Sequence, residues 1–169
     1  NNQFASLDSI SEFKTEIANC RTFVFLHELE FLLKHNNLIK GGDLNNAIVI
    51  VDREVSQAEL DRLADLFNHD RVEVKAQGIL NNVDLQFDNE CARHKLLDVI
   101  GDLSLLGKHI KGRIIATKPG HHANTMMAKA LKKEFLRQKA GVPAYDPNAE
   151  PLLDIAKISE YLPHRFPFL

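Results

Sequence analysis

The chain has 169 residues, 44% hydrophobic and 26% charged, a globular composition that excludes a predominantly disordered, collagen-like or disulfide-scaffold protein. Lys and Arg total 21 against 23 Asp and Glu, a net charge of −2, so no overall positive field favours nucleic acid or an anionic membrane surface. Two separated cysteines, Cys20 and Cys91, argue against a disulfide framework or a thiolate zinc site; with no membrane-span or signal-peptide pattern, the expected location is the cytoplasm.

The sequence opens Asn1-Asn2 without a Met and stops inside the apolar run Phe166-Pro167-Phe168-Leu169, so it reads as an excerpt of a longer protein. Ser9-Ile10-Ser11-Glu12 has the form of a capping box, and Ile10, Phe13 and Ile17 follow at helical spacing, predicting a short amphipathic helix that ends near Asn19. Thr22-Phe23-Val24-Phe25 is rich in β-formers. Leu26, Leu29, Leu32 and Leu33 then recur at helical spacing up to His35-Asn36-Asn37, and Ala47 to Val51 is a continuous apolar run of strand length. Residues 20–51 are therefore expected to form a β-α-β unit.

A second capping box, Ser56-Gln57-Ala58-Glu59, leads Leu60, Leu63, Ala64 and Phe67 into a helix stopped by Asn68-His69-Asp70. Val72 to Val74 and Val83 to Phe87 are strand candidates separated by Gly78 and Asn81-Asn82. From Asp88 the chain is helical by propensity, with Leu96, Val99, Ile100 and Leu103 on one face. His94, Asp98 and Asp102 stack on successive turns of the opposite face, with Lys95 beside them. A strand from Arg113 to Thr117, a loop at Lys118-Pro119-Gly120-His121-His122 and a helix from about Ala123 to Gln138 complete the pattern. Three of the six prolines fall within Gly141 to Pro151, the composition of an extended linker.

His94 and Asp98, at i and i+4, bring an imidazole and a carboxylate close enough to share a cation such as zinc, although the same spacing describes a surface ion pair. Gly120-His121-His122 lies where backbone N–H groups and an imidazole can face an anion or a developing oxyanion, or simply water. Asp102 is placed either to orient such a histidine or to stand on the helix surface. His27-Glu28-Leu29-Glu30-Phe31 begins like H-E-x-x-H, but Phe31 replaces the second ligand and excludes that metalloprotease reading. Phe23, Phe25, Leu29, Leu32 and Leu33 form an apolar stripe suited to a core or a cavity wall, and Lys129, Lys132 and Lys133 to a solvated helix face.

The run Phe87 to Leu103, in particular Arg93-His94-Lys95 followed by Leu97-Asp98 and Ile100-Gly101-Asp102-Leu103, resembles the signature of the zinc-dependent UDP-3-O-acyl-N-acetylglucosamine deacetylases of lipid A biosynthesis. Arg21-Thr22-Phe23-Val24-Phe25, Lys40-Gly41-Gly42 with Ala47-Ile48-Val49, and Gly120-His121-His122-Ala123-Asn124 fall in that family's order, and the likeness covers about residues 5–135. The resemblance implies an α+β fold, a mixed sheet layered against helices with a β-α-β insert, forming the deacetylase's second domain over residues 1–138. It implies His94 and Asp98 as two of three zinc ligands, His121 as the catalytic histidine with Asp102 orienting it, and Thr22 as an oxyanion contact. Lys95 would meet the polar head of an acylated UDP-glucosamine substrate, while Phe23, Phe25 and Leu29 would line a passage for its acyl chain. The third zinc ligand and the glutamate base belong to a first domain that this sequence lacks, so the fragment is expected to be inactive alone. Residues 53–79 add a helix and a strand to the shorter family pattern.

After a linker over residues 139–152, residues 153–169 include Leu162-Pro163-His164-Arg165-Phe166-Pro167-Phe168-Leu169. This resembles the opening of a 3-hydroxyacyl-acyl carrier protein dehydratase, which implies a stub of a hot-dog fold with His164 as that enzyme's catalytic histidine and acyl carrier protein as its partner. Together the likenesses imply a bifunctional hydrolase–lyase fusion joining lipid A and fatty acid biosynthesis. The alternative is a non-catalytic α+β interaction module in which His94 and Asp98 are a surface pair and the apolar stripe is ordinary core.

Overall fold

The computed structural model describes residues 2–29 and 44–141, which divide into one compact unit of residues 3–94 and another that begins at Lys95. Among the described residues no helix is long and apolar enough to cross a membrane. The second half of the predicted β-α-β helix, the Pro-rich linker and the dehydratase-like stub with His164 lie outside the described residues.

In the first unit, a 3-10 turn over Ile10–Glu12 runs into α1, Phe13–Glu16. Ser9 caps the turn by accepting from the N–H of Ser11, not through the reciprocal Glu12 contact its spacing predicts. Strand β1, Thr22–Phe25, pairs in parallel with β2, Ala47–Ile50, in the register Thr22↔Ala47 to Phe25↔Ile50. Residues 26–29 are helical, so the β-α-β reading holds where it is described. Parallel pairing requires a crossover connection between the two strands.

Alternation along the strands sends side chains to two layers. Val49 and partly buried Val24 join a cluster of Leu26, Leu29, Leu44, Leu60, Leu63, Val72 and Leu80, whereas Ile48, with partly buried Phe23 and Ile50, packs with Ile79 and Val83. Burial on both faces is why β2 reads as an unbroken apolar run. Each fully buried aliphatic side chain contributes about 1.5–3 kcal/mol. Leu60 and Leu63 come from α2, Gln57–Leu66, which starts at the predicted capping box: Ser56 accepts from Glu59 N, and the Glu59 carboxylate accepts from Ser56 N at 2.8 Å. The additional helix is therefore an integral part of the core.

The strand expectations need correction. Among the described residues, pairing beyond β2 is confined to the isolated antiparallel bridges Ile50↔Ile79 and Val74↔Leu80, so the expected mixed sheet is here a parallel pair with a bridged turn at Gly78, whose φ of +79° suits glycine. Residues 83–87 form no strand because their backbone groups turn elsewhere. Asp84 O accepts from the Arg21 guanidinium, and Gln86 N donates to Glu90 Oε2 at 2.7 Å. Arg113 to Thr117 also form no strand, with Ile114 and Ile115 49% and 78% exposed and no ladder partner among the described residues.

Helix α3, Glu90–Ser104, begins with a carboxylate that has no solvent exposure. Glu90 receives Arg21 Nε and the Arg21 backbone N–H on Oε1, at 2.9 and 3.0 Å, and Arg21 Nη2 and Gln86 N on Oε2, at 2.9 and 2.7 Å. Burial opposes ionisation, yet the guanidinium and the two backbone donors outweigh it and hold this carboxyl below the ordinary glutamate range. Asn82 clamps the entry to β2, donating through Nδ2 to Leu44 O at 2.6 Å and Ala47 O at 2.8 Å.

In the second unit, Val99 and Leu103 of α3 pack with Ala128 and partly buried Leu131 of α4, His121–Lys139. The predicted last helix thus starts two residues early, taking His121 and His122 out of the loop and into its first turn.

Glu90→Ala is expected to lower stability by about 3–5 kcal/mol, because it strands Arg21 and two backbone donors, and urea unfolding reads this as a lower midpoint. Since the folded carboxyl titrates below its unfolded counterpart, the ion pair's stabilisation is complete above the ordinary glutamate pKa. It disappears as pH falls through the depressed native value, so the gap between wild type and Glu90→Gln should narrow in acid.

Candidate active site

Within the unit that begins at Lys95, the first turn of α4 sets His121 against Asp102 of α3. His121 Nδ1 lies 2.8 Å from Asp102 Oδ2, and Asn124 Nδ2 donates to the same oxygen at 2.9 Å. The Asp102 side chain is 15% exposed and that of His121 69% exposed. One carboxylate thus holds the inner nitrogen of an imidazole whose outer nitrogen, Nε2, faces outward and lies 3.9 Å from Asp98 Oδ1. This geometry selects the tautomer with the proton on Nδ1, so that Nε2 is the nitrogen able to exchange protons with a reacting group.

Asn124 is the residue that sequence reasoning passed over. It is 7% exposed, and its amide fixes Asp102 from a second direction. The available signal was a lone amide three residues after His121, among the Ala and Leu positions of a buried helix face.

Asp98 is 10% exposed in its side chain and accepts from Lys95 Nζ at 3.0 Å. The sequence-predicted headgroup contact and the sequence-predicted metal ligand are therefore partners here. In the unit of residues 3–94, His94 turns its Nδ1 to the Cys20 carbonyl at 3.1 Å and meets the Phe23 ring edge-on at 6.4 Å. Donation from Nδ1 to a backbone carbonyl puts the lone pair on Nε2, the arrangement by which proteins orient histidine ligands. Burial pushes the Cys20 thiol above its ordinary pKa, leaving its carbonyl, not its sulfur, as the group that matters.

His94 and Asp98 thus fit zinc in donor type and in their i, i+4 placement on α3. They are one short of the three protein ligands that a catalytic zinc takes, and no group of three His, Cys, Asp or Glu converges among the described residues.

The remaining candidates occupy distinct settings. Thr22 is exposed at the start of β1, and Phe23 and Phe25 are half-buried on the same strand. Leu29 is 5% exposed and packs within the core cluster beside Leu26, Leu44 and Val49. His164 lies outside the described residues.

The family model described as UDP-3-O-acyl N-acetylglycosamine deacetylase matches residues 1–70 and 68–133. The bifunctional enzyme LpxC/FabZ of Porphyromonas gingivalis is 55% identical over 168 residues, covering 99% of this chain and 36% of that protein. That of Bacteroides thetaiotaomicron is 53% identical over 167 residues, with the same coverage. The UDP-3-O-acyl-N-acetylglucosamine deacetylase of Syntrophotalea carbinolica is 40% identical over 119 residues, 70% of this chain and 30% of the relative. The chain spans about a third of the length of these relatives.

The two partners of Asp102 differ in burial, Asn124 being 7% exposed and the His121 side chain 69%. Asn124→Ala, which removes a buried partner of Asp102, is expected to cost about 1–3 kcal/mol. His121→Ala, at an exposed position, should stay within about 0.5 kcal/mol of wild type. Thermal unfolding of the two variants measures both.

Proposed function

Because the chain belongs to the UDP-3-O-acyl N-acetylglycosamine deacetylase family, we propose that it supplies one half of a zinc-dependent active site that removes the N-acetyl group from an acylated UDP-glucosamine. The observation that carries this reading is the Asp102–His121 contact at 2.8 Å, which aims an exposed imidazole nitrogen outward from a rigid helix start. His94 and Asp98 would hold the zinc, together with a third ligand from outside this chain. When bound, the metal polarises the amide carbonyl and lowers the pKa of a water molecule.

The residues present divide the remaining work. His121 Nε2 holds the proton that stabilises charge developing on the carbonyl oxygen or that is delivered to the departing amine. Asp102 stabilises the charged imidazole and prevents it from turning, and Asn124 keeps Asp102 in place. The Thr22 hydroxyl offers a donor to the oxyanion, and Lys95 a cation to the polar head of the substrate. Phe23 and Phe25 present ring surface to the acyl chain, while Leu29, which the likeness also assigns to that passage, packs in the layer that holds Val24 and Val49. The bifunctional names of the Porphyromonas gingivalis and Bacteroides thetaiotaomicron relatives support a fusion in which residues 153–169 open a 3-hydroxyacyl-acyl carrier protein dehydratase, with His164 as its catalytic histidine. Acyl carrier protein would be the partner of that half.

With no third ligand converging on His94 and Asp98 among the described residues, the 169-residue chain is expected to bind zinc weakly and to show no turnover. The test is a zinc titration followed by backbone and histidine NMR, on wild type and on His94→Ala. Shifts confined to the neighbourhood of His94 and Asp98, lost in the variant, with affinity far short of the ~10–16 kcal/mol of a complete structural site, support a shared metal centre. An unchanged response in the variant, or none at the helix face, moves the assignment to a non-catalytic interaction module.

A further inference from the structure

Four rings follow one another along β1 and past its carboxyl end. His94 stands edge-on to Phe23 at 6.4 Å, Phe23 edge-on to Phe25 at 6.3 Å, and Phe25 lies stacked on His27 at 5.9 Å and an interplanar angle of 27°. The backbone beneath is held in register: β2 pairs with β1 along its whole length, and Phe25 N donates to Glu28 Oε2 at 3.3 Å. At the far end the row turns polar. His27 Nδ1 is hydrogen-bonded to Oδ2 of Asp52, a residue that lies just beyond β2. The pair bridges the segments leaving the two parallel strands, at the carboxyl edge where open parallel sheets place their ligands.

We infer that the His27–Asp52 pair is a specificity-determining stop that ends this aromatic wall and sets the length of acyl chain it accepts. The inference rests on the proposed reading of Phe23 and Phe25 as acyl-lining residues. Methylene groups laid against the ring row lose contact with water at every step. A chain long enough to pass His27 would have to strip water from a hydrogen-bonded imidazole–carboxylate pair whose side chains are 48% and 28% exposed, an unfavourable exchange. As an exposed polar pair it adds little to folding, so its removal should leave the sheet intact and change only what the row accepts.

The test is the binding of a homologous series of saturated straight-chain fatty acids, below their micelle concentrations, to the 169-residue chain, followed by NMR of the Phe23 and Phe25 ring signals. In wild type, affinity should rise about fourfold per added methylene up to a limiting length and then level off. His27→Phe, which keeps a ring but removes the polar pair, should carry that rise to longer acids at the same increment, while the shortest acids bind unchanged. Asp52→Asn, which retains a hydrogen-bonding side chain but not the charge, should move the limit in the same direction by less. Binding at Phe23 and Phe25 with the same limiting length in wild type and both variants overturns the stop and leaves the acyl-lining reading standing. Ring signals unmoved by acids of every length overturn the acyl-lining reading, and the stop with it.

Discussion

A carboxylate with no solvent contact must have its charge answered by protein donors, and Glu90 draws four of them from two stretches of sequence. Arg21 contributes its guanidinium and its backbone N–H, and Gln86 a second backbone N–H. The residue before β1, the loop at 84–86 and the first turn of α3 are thereby fastened to one point. That fastening explains why residues 83–87, which have strand composition, form no ladder. It also fixes where α3 starts. Arg93 extends the same anchorage one turn along, reaching Glu16 Oε2 at 2.7 Å and lying 4.0 Å over the Phe87 ring.

Helix α3 then carries a polar row. His94, Asp98 and Asp102 follow at intervals of four, and each is engaged by a different neighbour: the Cys20 carbonyl, the Lys95 ammonium, and the His121–Asn124 pair. The first contact sets a tautomer, the second holds a carboxylate's charge, and the third points an imidazole outward. Val99 and Leu103, on the opposite side, provide the rigid backing such a row needs. In the other unit, the ring sequence from His94 to His27 extends a polar anchor into an apolar wall and ends on a second imidazole–carboxylate pair.

Much of this was legible in the residues. The Ser56–Glu59 box marks the start of α2 because its two reciprocal bonds are local and need no tertiary partner. The apolar run at Ala47–Ile50 announces a strand buried on both faces, and the motif around His94 and Asp98 identifies the helix that bears them. The misread elements share one cause. Val83 to Phe87 and Arg113 to Thr117 have the composition of strands, but a strand is a relation between two segments, and composition describes only one. Arg21, Glu90 and Asn124 were visible as members of motifs without a stated role, since nothing along the chain shows that Glu90 would be fully enclosed or that Asn124 would face Asp102. His27 was noticed only as half of a failed metal motif.

The sequence by itself determined what depends on near neighbours: the capped start of α2 at Ser56, the four-residue spacing of His94, Asp98 and Asp102, the unbroken apolar run that makes β2 a core strand, and the family signature those residues compose. Only the tertiary structure decided which of the polar groups meet. The contacts Arg21–Glu90, His121–Asp102, His94–Cys20 and His27–Asp52 join residues 69, 19, 74 and 25 positions apart. The physical reason is that hydrogen bonding within a turn or a helix is fixed by backbone geometry, whereas the partner of a buried or half-buried charge is fixed by whichever distant segment the packing of the apolar core brings alongside it.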